Sequence, residues 1–319
     1  MQKRVAILGG AGLIGAHLSK RIVERGDILY CIDLRNAGTS KLLRSLESYE
    51  NFHFVKHNVI NPFTIRCDEI YSLCSPSRLN YDLQPPVETL KTHIQGTLNT
   101  LENARSEFSR VLYGSSSAVY NSPNAPDFDL RNSKLSTSEG VRAAEMIHRA
   151  YYTEYGVDCR IARIFNTYGI GGDINDRHVV MRMIFEALRN HNITIYGNGE
   201  QLRTFCWADD VAEALERLMA KEPGNTPYVM DLGGDEELSI RELAEKIIEL
   251  SGSSSKIVHT SVRLGECRYS RPDLTIARQE LKWHPKTSII EGLKRTIEYV
   301  ENLLHAMSHG AKSWVEMCC

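Results

Sequence analysis

No stretch of the 319-residue chain is apolar over the roughly 18–20 residues a helix needs to span a bilayer, so a membrane-spanning role is not expected. Eight cysteines stand at positions 31, 67, 74, 159, 206, 267, 318 and 319, but none forms a CxxC pair or a cluster with metal-ligand spacing. That scatter excludes a disulfide framework and a zinc-type site, and it predicts reduced thiols in a cytoplasmic protein with no metal. Charge is not concentrated either. There are 38 Lys and Arg against 40 Asp and Glu, and the sequence has no basic block and no acidic tail. Nucleic acid and anionic membranes are therefore not expected partners. There is no internal repeat and no low-complexity segment. The first residues run directly into "KRVAILGGAG", without the layout of a signal peptide. The closing "EMCC" is not a prenylation box, because the cysteine would have to be fourth from the end.

What is present is enough apolar sequence for a large core, 42% of residues, with 24% charged. Apolar runs alternate with amphipathic stretches through the first 165 residues. "RVAILG", "ILYCID", "FHFVKH", "EIYSLCS", "RVLYGSS" and "DCRIARIF" read as strands. Leu13–Glu24, Pro86–Arg105 and Ser138–Tyr155 read as helices. Strand–helix alternation of this kind predicts a parallel sheet covered by helices on both faces. After residue 166 the rhythm shortens to "ITIYGNG", "RTFCWADD" and "YVMDLGG". An amphipathic helix follows from Ser239 to Leu250, with Ser239 and Glu242 in capping-box spacing. A last helix is expected from about Ser288 to Leu304.

The chemistry-bearing signal lies at the front. "GGAGLIG" places Gly9, Gly12 and Gly15 directly after a strand and at the opening of a helix. Glycines permit the tight turn and let backbone approach a pyrophosphate, which the helix N-terminus then favours through its N–H groups and dipole. Asp33 ends the next strand, 18 residues after Gly15, where a carboxylate accepts the ribose 2′-hydroxyl. The same charge repels a 2′-phosphate, so the expected cofactor is NAD rather than NADP. Arg35 is a counterweight, since an arginine there meets such a phosphate.

Beyond this motif, "ENFHFVKHNV", "EIYSLCSP", "TLKTHIQGTLN", "ARIFNTYG", "NDRHVV", "ITIYGNGEQLRTF" and "RPDL" together resemble the extended short-chain dehydrogenase/reductases that modify nucleotide sugars, most closely the UDP-glucuronate decarboxylases. The likeness runs from about Lys3 to Leu304. It implies a Rossmann-type, doubly wound α/β sheet with a smaller C-terminal α/β substrate domain. The expected division is 1–167 for the NAD-binding domain, with returning segments around 205–233. The substrate-binding domain would comprise 168–204 and 234–305, followed by a 306–319 tail. By resemblance, Gly12, Leu13, Ile14, Asp33, Asn36 and Gly38 line the pyrophosphate and adenosine ribose. Asn58 and Val59 meet adenine, and Leu73, Ser75 and Thr92 complete the cofactor cleft. The family's usual Asp is Asn58 here, and its amide oxygen still accepts from an adenine amino group. Lys91, Asn99, Asn166, Tyr196, Gln201, Arg203 and Arg271 fall at positions that contact a UDP-sugar. Arginine suits the diphosphate because its planar fork donates two parallel hydrogen bonds. Any one of these cations alone would be a solvated surface charge.

The resemblance also shows what is missing. The family's base is a tyrosine whose pKa, near 10 unperturbed, is lowered by a lysine four residues later on the same helix face. In "LSTSEGVRAAE" those positions are Thr137 and Val141. Ser116 keeps the family's strand-end hydroxyl, but the glutamate that serves decarboxylation is Ala118. A positioned acid–base group contributes about 10²–10⁴-fold, so its loss costs roughly 3–5 kcal/mol of barrier. His93, beside Thr92, is the first substitute base to weigh, although a hydrogen-bonding role near a helix start explains it as well. Cys74 reads as a small hydrophobe at a strand end, Tyr120 as a structural turn residue, and Lys134 and Glu139 as solvated charges. The expectation is a homodimeric, NAD-dependent nucleotide-sugar-modifying enzyme of the decarboxylase, epimerase or dehydratase class with an atypical centre. The alternative is a non-catalytic relative that binds both ligands as a sensor or as partner of an active enzyme.

Overall fold

The computed structural model describes residues 2–75, 86–120, 135–171, 178–261 and 271–308, apart from the side chains at 39, 135 and 306–308. Lys134 and the expected tail therefore lie outside the described residues. In chain order the elements are β1 (Arg4–Leu8), α1 (Leu13–Glu24), β2 (Ile28–Asp33), α2 (Lys41–Arg44), β3 (Phe52–Lys56), β4 (Glu69–Ser72), α3 (Pro86–Glu107) and β5 (Arg110–Ser116). A 3₁₀ turn at Ser117–Tyr120 leads toward α4 (Leu135–Tyr155), β6 (Cys159–Ile164), β7 (Thr167–Tyr168), α5 (Val179–Leu188), β8 (Ile193–Tyr196), β9 (Leu202–Thr204) and β10 (Cys206–Trp207). The rest are α6 (Ala208–Ala220), β11 (Tyr228–Leu232), β12 (Glu237–Ser239), α7 (Ile240–Ser251), β13 (Ile257–Thr260), α8 (Thr275–Leu281) and α9 (Ile289–Ser308).

Seven strands form one parallel sheet in the order β11-β6-β5-β4-β1-β2-β3. The chain steps from β1 to β2 on one side and later returns to β4 on the other. The order therefore reverses between β1 and β4, and a crevice opens beyond the carboxyl ends of those strands. This is the doubly wound α/β fold that the alternating apolar runs predict. Burial on both faces accounts for β1 reading as an unbroken apolar run. α1 and α6 cover one face, with Leu18, Ile22, Val211 and Leu215 packed among Ile7, Cys31 and Leu112. Leu101 and Ala104 of α3 cover the other with Ala6, Leu8 and Val111, and Ala144 of α4 meets Tyr113 and Ile161.

A further cluster gathers α5, α7 and α9 around β8, through Met183, Ile184, Leu243, Ile247, Leu293 and Val300. The capping box at α7 is formed. Ser239 Oγ accepts from Glu242 N at 3.0 Å, and Glu242 Oε2 accepts from Ser239 N at 2.7 Å. A cap of this kind contributes about 1 kcal/mol.

The short element expected at "RTFCWADD" divides into β9 and β10, and its last residues open a 13-residue helix, α6. Asp209 and Asp210 sit in that helix's first turn, where the N-terminal dipole favours negative charge. On α4, Ala144 is fully buried, and Ile147 and Tyr151 pack against the chain's own core. Tyr152 donates from its hydroxyl to Gly224 O at 2.7 Å. These side chains are therefore used within the chain, and the large apolar α4 residues left exposed are Met146 and Tyr155. Among the described residues no helix is long and apolar enough to cross a membrane.

Candidate functional site

The crevice between β1 and β4 is closed by backbone that no side chain could share. Gly9 has φ +81°, and a Cβ there would lie 2.9 Å from the Leu73 carbonyl carbon and the Cys74 nitrogen. A Cβ at Gly15 would lie 2.5 Å from Gly9 O. Two bonds to one acceptor, Gly9 N and Gly10 N to Ile32 O at 2.8 and 3.2 Å, tie the loop to the end of β2. Gly12 then begins α1, which has no side-chain cap and no acidic residue in its first turn. The Leu13 and Ile14 end of α1 is thus suited to an anion.

At the mouth of this cradle stands Asp33, 7% exposed. Its Oδ2 accepts from Ala11 N at 3.0 Å and its Oδ1 from Arg35 N at 2.9 Å, so the carboxylate is fixed by backbone from both sides. The Arg35 guanidinium leans over it more loosely, at 3.3 and 3.5 Å. Asn36 is exposed and begins a single 3₁₀ turn. Gly38 O accepts from Arg44 within the same corner. These groups fit a dinucleotide: a glycine cradle, a bare helix N-terminus and an oriented acceptor for a ribose hydroxyl. Among the described residues no group of three or more His, Cys, Asp and Glu is placed to hold a metal ion.

The wall beyond β3 gives Asn99 a different part from the sugar contact its position implies. Asn99 is buried, and its Nδ2 donates to Val59 O and Ile60 O, both at 2.9 Å. Its amide pins the loop that presents Asn58 and Val59, and both of its N–H donors are spent on that backbone. Asn58 Oδ1 accepts from Ile60 N at 3.1 Å in the same turn. Leu73, Cys74 and Ser75 follow β4 at the crevice, opposite Gly9. Burial pushes the Cys74 thiol up, which keeps it protonated and inert. On α3, Lys91 is exposed and Thr92 donates to Glu88 O at 2.9 Å.

His93 does not open into the crevice. It is 2% exposed and wedged against Gly140 of α4, where an added Cβ would meet its ring at 3.0 Å. Its Nδ1 lies 3.3 Å from Tyr113 Oη, and its Nε2 is buried with no partner among the described residues. Tyr113 in turn stacks on His148, with ring centroids 4.7 Å apart. Burial lowers both imidazoles to about 4, so both are neutral at physiological pH. A histidine enclosed in this way is poorly placed to take a proton from a ligand.

Thr137 and Val141 stand one helical turn apart in the first turns of α4, 7% and 2% exposed. Their side chains offer neither a phenol nor an ammonium. Ser116 ends β5, and its Oγ accepts from Ala118 N at 3.2 Å, which fixes the turn in which a carboxylate is absent. Tyr120 closes that turn, and its hydroxyl donates to Asp231 Oδ1 at 2.6 Å. Burial raises the Tyr120 phenol to about 12, which removes it as a base.

The sugar-side candidates fall in two groups. Asn166, just after β6, donates from Nδ2 to Thr204 O at 3.1 Å. Arg203 lies next to Thr204 on β9, and Arg271 reaches Glu237 Oε2 at 3.2 Å on the paired strand β12. These three converge on the β9–β12 ribbon. Tyr196 and Gln201 form the second group, with Gln201 Nε2 donating to Tyr196 O at 3.1 Å. Arg182 of α5 lies over the Tyr196 ring at 5.7 Å, a cation–π contact not evident from sequence. Sequence reasoning also missed the roles of Glu145, Arg163 and Asp231: strand register sets Arg163 beside Asp231, and α4 brings Glu145 onto Arg163.

The sequence model of the NAD dependent epimerase/dehydratase family matches residues 5–233. UDP-glucuronic acid decarboxylase 1 of Xenopus tropicalis is 35% identical over 306 residues, covering 93% of this chain and 72% of that protein. UDP-glucuronic acid decarboxylase 5 of Arabidopsis thaliana is 34% identical over 303 residues, covering 91% and 87%. Two solved structures share the fold. They are UDP-glucuronic acid 4-epimerase from Bacillus cereus in complex with UDP-glucuronic acid and NAD, and UDP-glucose 4-epimerase from Thermotoga maritima with UDP-glucose. The first has a TM-score of 0.82 at 21% identity and the second 0.80 at 24%, each covering 94% of this chain and 99% of the other. By family match, by identity over nearly its whole length and by topology, the chain belongs to the NAD dependent epimerase/dehydratase family.

Proposed function

We propose that this protein binds NAD and a UDP-sugar of the UDP-glucuronate type, and that it is a nucleotide-sugar-modifying enzyme with an atypical catalytic centre. The observation that carries the cofactor reading is the cradle at the β1/β4 crevice. There, Gly9 and Gly15 leave no room for a Cβ and Asp33 is held by two backbone N–H groups. Decarboxylases at 34–35% identity over more than nine-tenths of the chain support the substrate class. Gly9–Gly15, Asp33 and the Asn58–Val59 wall would hold the cofactor, which supplies a hydride acceptor when bound. Asn166, Arg203 and Arg271 would grip the diphosphate–sugar region, and Ser116 would orient the sugar hydroxyl at the end of β5.

One observation favours the second reading, a ligand-binding relative without turnover: Thr137 and Val141 themselves carry no group that takes a proton near neutral pH. In that reading the same cleft reports on nucleotide-sugar level or pairs with an active relative. A homodimer in a reducing, cytoplasmic setting completes the proposal. The exposed Met146 and Tyr155 of α4 and the free cysteines among the described residues support it.

The test is mass spectrometry of small molecules released when the purified protein is denatured, followed by calorimetry with UDP-glucuronate. NAD in the released fraction and saturable UDP-glucuronate binding are expected. Release of no dinucleotide, together with no binding of added NAD, would overturn the reading.

A further inference from the structure

Three adjacent strands set one row of polar side chains in register on the α4 face of the sheet. Ser115 of β5 is the Cα partner of Arg163 of β6, and Arg163 is the partner of Asp231 of β11. Ser115 Oγ donates to Glu145 Oε1 at 2.6 Å. The Glu145 carboxylate also takes two bonds from Arg163, at 3.0 and 2.7 Å. Arg163 Nη1 donates to Tyr120 Oη at 3.0 Å, and Tyr120 directs its own proton to Asp231 Oδ1. The second Asp231 oxygen accepts from Asp273 N at 3.0 Å. The row thus starts one residue from Ser116 and ends two residues from Arg271.

The far end of this row needs holding. Among the described residues, the exposed side chain of Arg271 meets one carboxylate oxygen of Glu237, at 3.2 Å. Its short segment is anchored at Leu274, buried in the core cluster with Leu232, and reaches the sheet at two places nearer Arg271. One is Pro272, which fills the space a Cβ at Gly233 would take, at 3.0 Å. The other is the Asp273 N–H on Asp231. Asp231 is 5% exposed, and within the row it bonds both to the turn after β5 and to the Arg271 segment.

We propose that Asp231 is a positioning residue for the nucleotide-sugar site: by accepting from Tyr120 and from Asp273 N together, it holds Arg271 at a fixed distance from the Ser116 rim. This rests on the proposed function for its ligand, but not for its mechanical part. With Asp231 in place, an anion bridging Arg271 and the strand ends meets a prearranged cation. Without it, Arg271 must be ordered at the moment of binding, which lowers affinity.

The test compares the full-length chain with Asp231→Ala, Asp231→Asn and Tyr120→Phe. Hydrogen–deuterium exchange of the peptide spanning 271–275 reads the clamp in the ligand-free protein. Calorimetry with UDP and with NADH reads its consequence. Asp231→Ala is expected to speed exchange in that peptide and to weaken UDP roughly tenfold or more, the scale of one lost charged hydrogen bond. NADH binding should stay within about twofold, far less than that loss. Asp231→Asn keeps one acceptor oxygen for Asp273 N and turns its amide N–H toward the Tyr120 oxygen, so it should recover most of the UDP affinity. Tyr120→Phe should leave exchange at 271–275 slow, because it removes only the other arm. Unchanged exchange in Asp231→Ala overturns the clamp whatever UDP does. Equal loss of UDP and NADH overturns it too, since that marks a general loss of fold. If the unmodified chain ignores UDP while Asp231→Ala still loosens 271–275, the clamp stands and the ligand assignment falls.

Discussion

Asp33 shows how far a single residue can be read. Its spacing from the glycine loop singles it out, and the structure adds how it is held. Two backbone N–H groups fix the carboxylate in one orientation. Asp33→Ala should weaken NAD by roughly ten- to hundredfold, the worth of a hydrogen bond to a charged acceptor. NADP should be affected in the opposite sense, because the repulsive charge goes while Arg35 stays. Fluorescence titration with NADH and NADPH measures both. Tighter NADPH than NADH binding by the unmodified protein would show instead that Arg35 governs the site. Asn99 shows the limit of such reading. A polar residue on a helix looks the same in sequence whether it meets a sugar or a buried loop. Only the packing of α3 under the turn after β3 decides that its amide is used at Val59 and Ile60. Asp231 is invisible in the sequence for a related reason, since strand register across β5, β6 and β11 has no local signature.

At the scale of the element, α4 carries both the absence and its consequence. The helix is legible from its periodicity, and so is the pairing of 137 with 141 on one face, because a 3.6-residue repeat fixes it. What is not legible is what lies beneath: Gly140 and Ala144 let α4 settle onto His93, Tyr113 and Ile161. If the two lost groups alone explain a silent centre, Thr137→Tyr with Val141→Lys should restore the first oxidation. The near-ultraviolet absorbance of reduced nicotinamide would rise on adding UDP-glucuronate, while release of carbon dioxide would stay poor until Ala118→Glu is added. Strong absorbance from the unmodified protein would show that another base already serves.

The buried histidines, His93 of α3 and His148 of α4, make a separate prediction about how these two helices pack. Their folded pKa values, about 4, lie below the ordinary 6.5. The unfolded chain therefore binds protons more readily, and stability rises with pH. The contribution is complete above about pH 6.5 and is lost as pH falls toward 4. At about 1.4 kcal/mol for each pH unit between the two values, each histidine accounts for roughly 3 kcal/mol. Urea midpoints of the unmodified protein should fall steeply over that window, and His148→Gln should flatten the fall. An equal slope in both proteins would mean that carboxylates, not this cluster, set acid stability.

The whole molecule returns to the two helices on the α3/α4 side of the sheet. Their carboxyl-terminal ends are strapped together within the chain: Tyr151 donates to Glu102 at 2.5 Å, Arg105 pairs with Glu102 at 2.8 Å, and its guanidinium lies over Tyr155 at 4.9 Å. Among the exposed side chains of these helices are three large apolar ones: Met146 is 64% exposed, Val87 62% and Tyr155 47%. An isologous contact about a twofold axis would cover both helices of each copy with those of the other. A stable contact of that kind buries about 1,200–2,000 Å² in total, a scale that two helices of this length can supply from each side. Sedimentation at micromolar concentration should therefore give twice the monomer mass. Met146→Glu should return a folded monomer, because the twofold axis brings two carboxylates toward each other in a desolvated seam, where each costs several kcal/mol if unpaired. The strap between Glu102, Arg105 and Tyr151 lies within one chain, so the helices should stay packed and circular dichroism should not change. A monomer before substitution, or a dimer indifferent to Met146→Glu, would place the contact on another face.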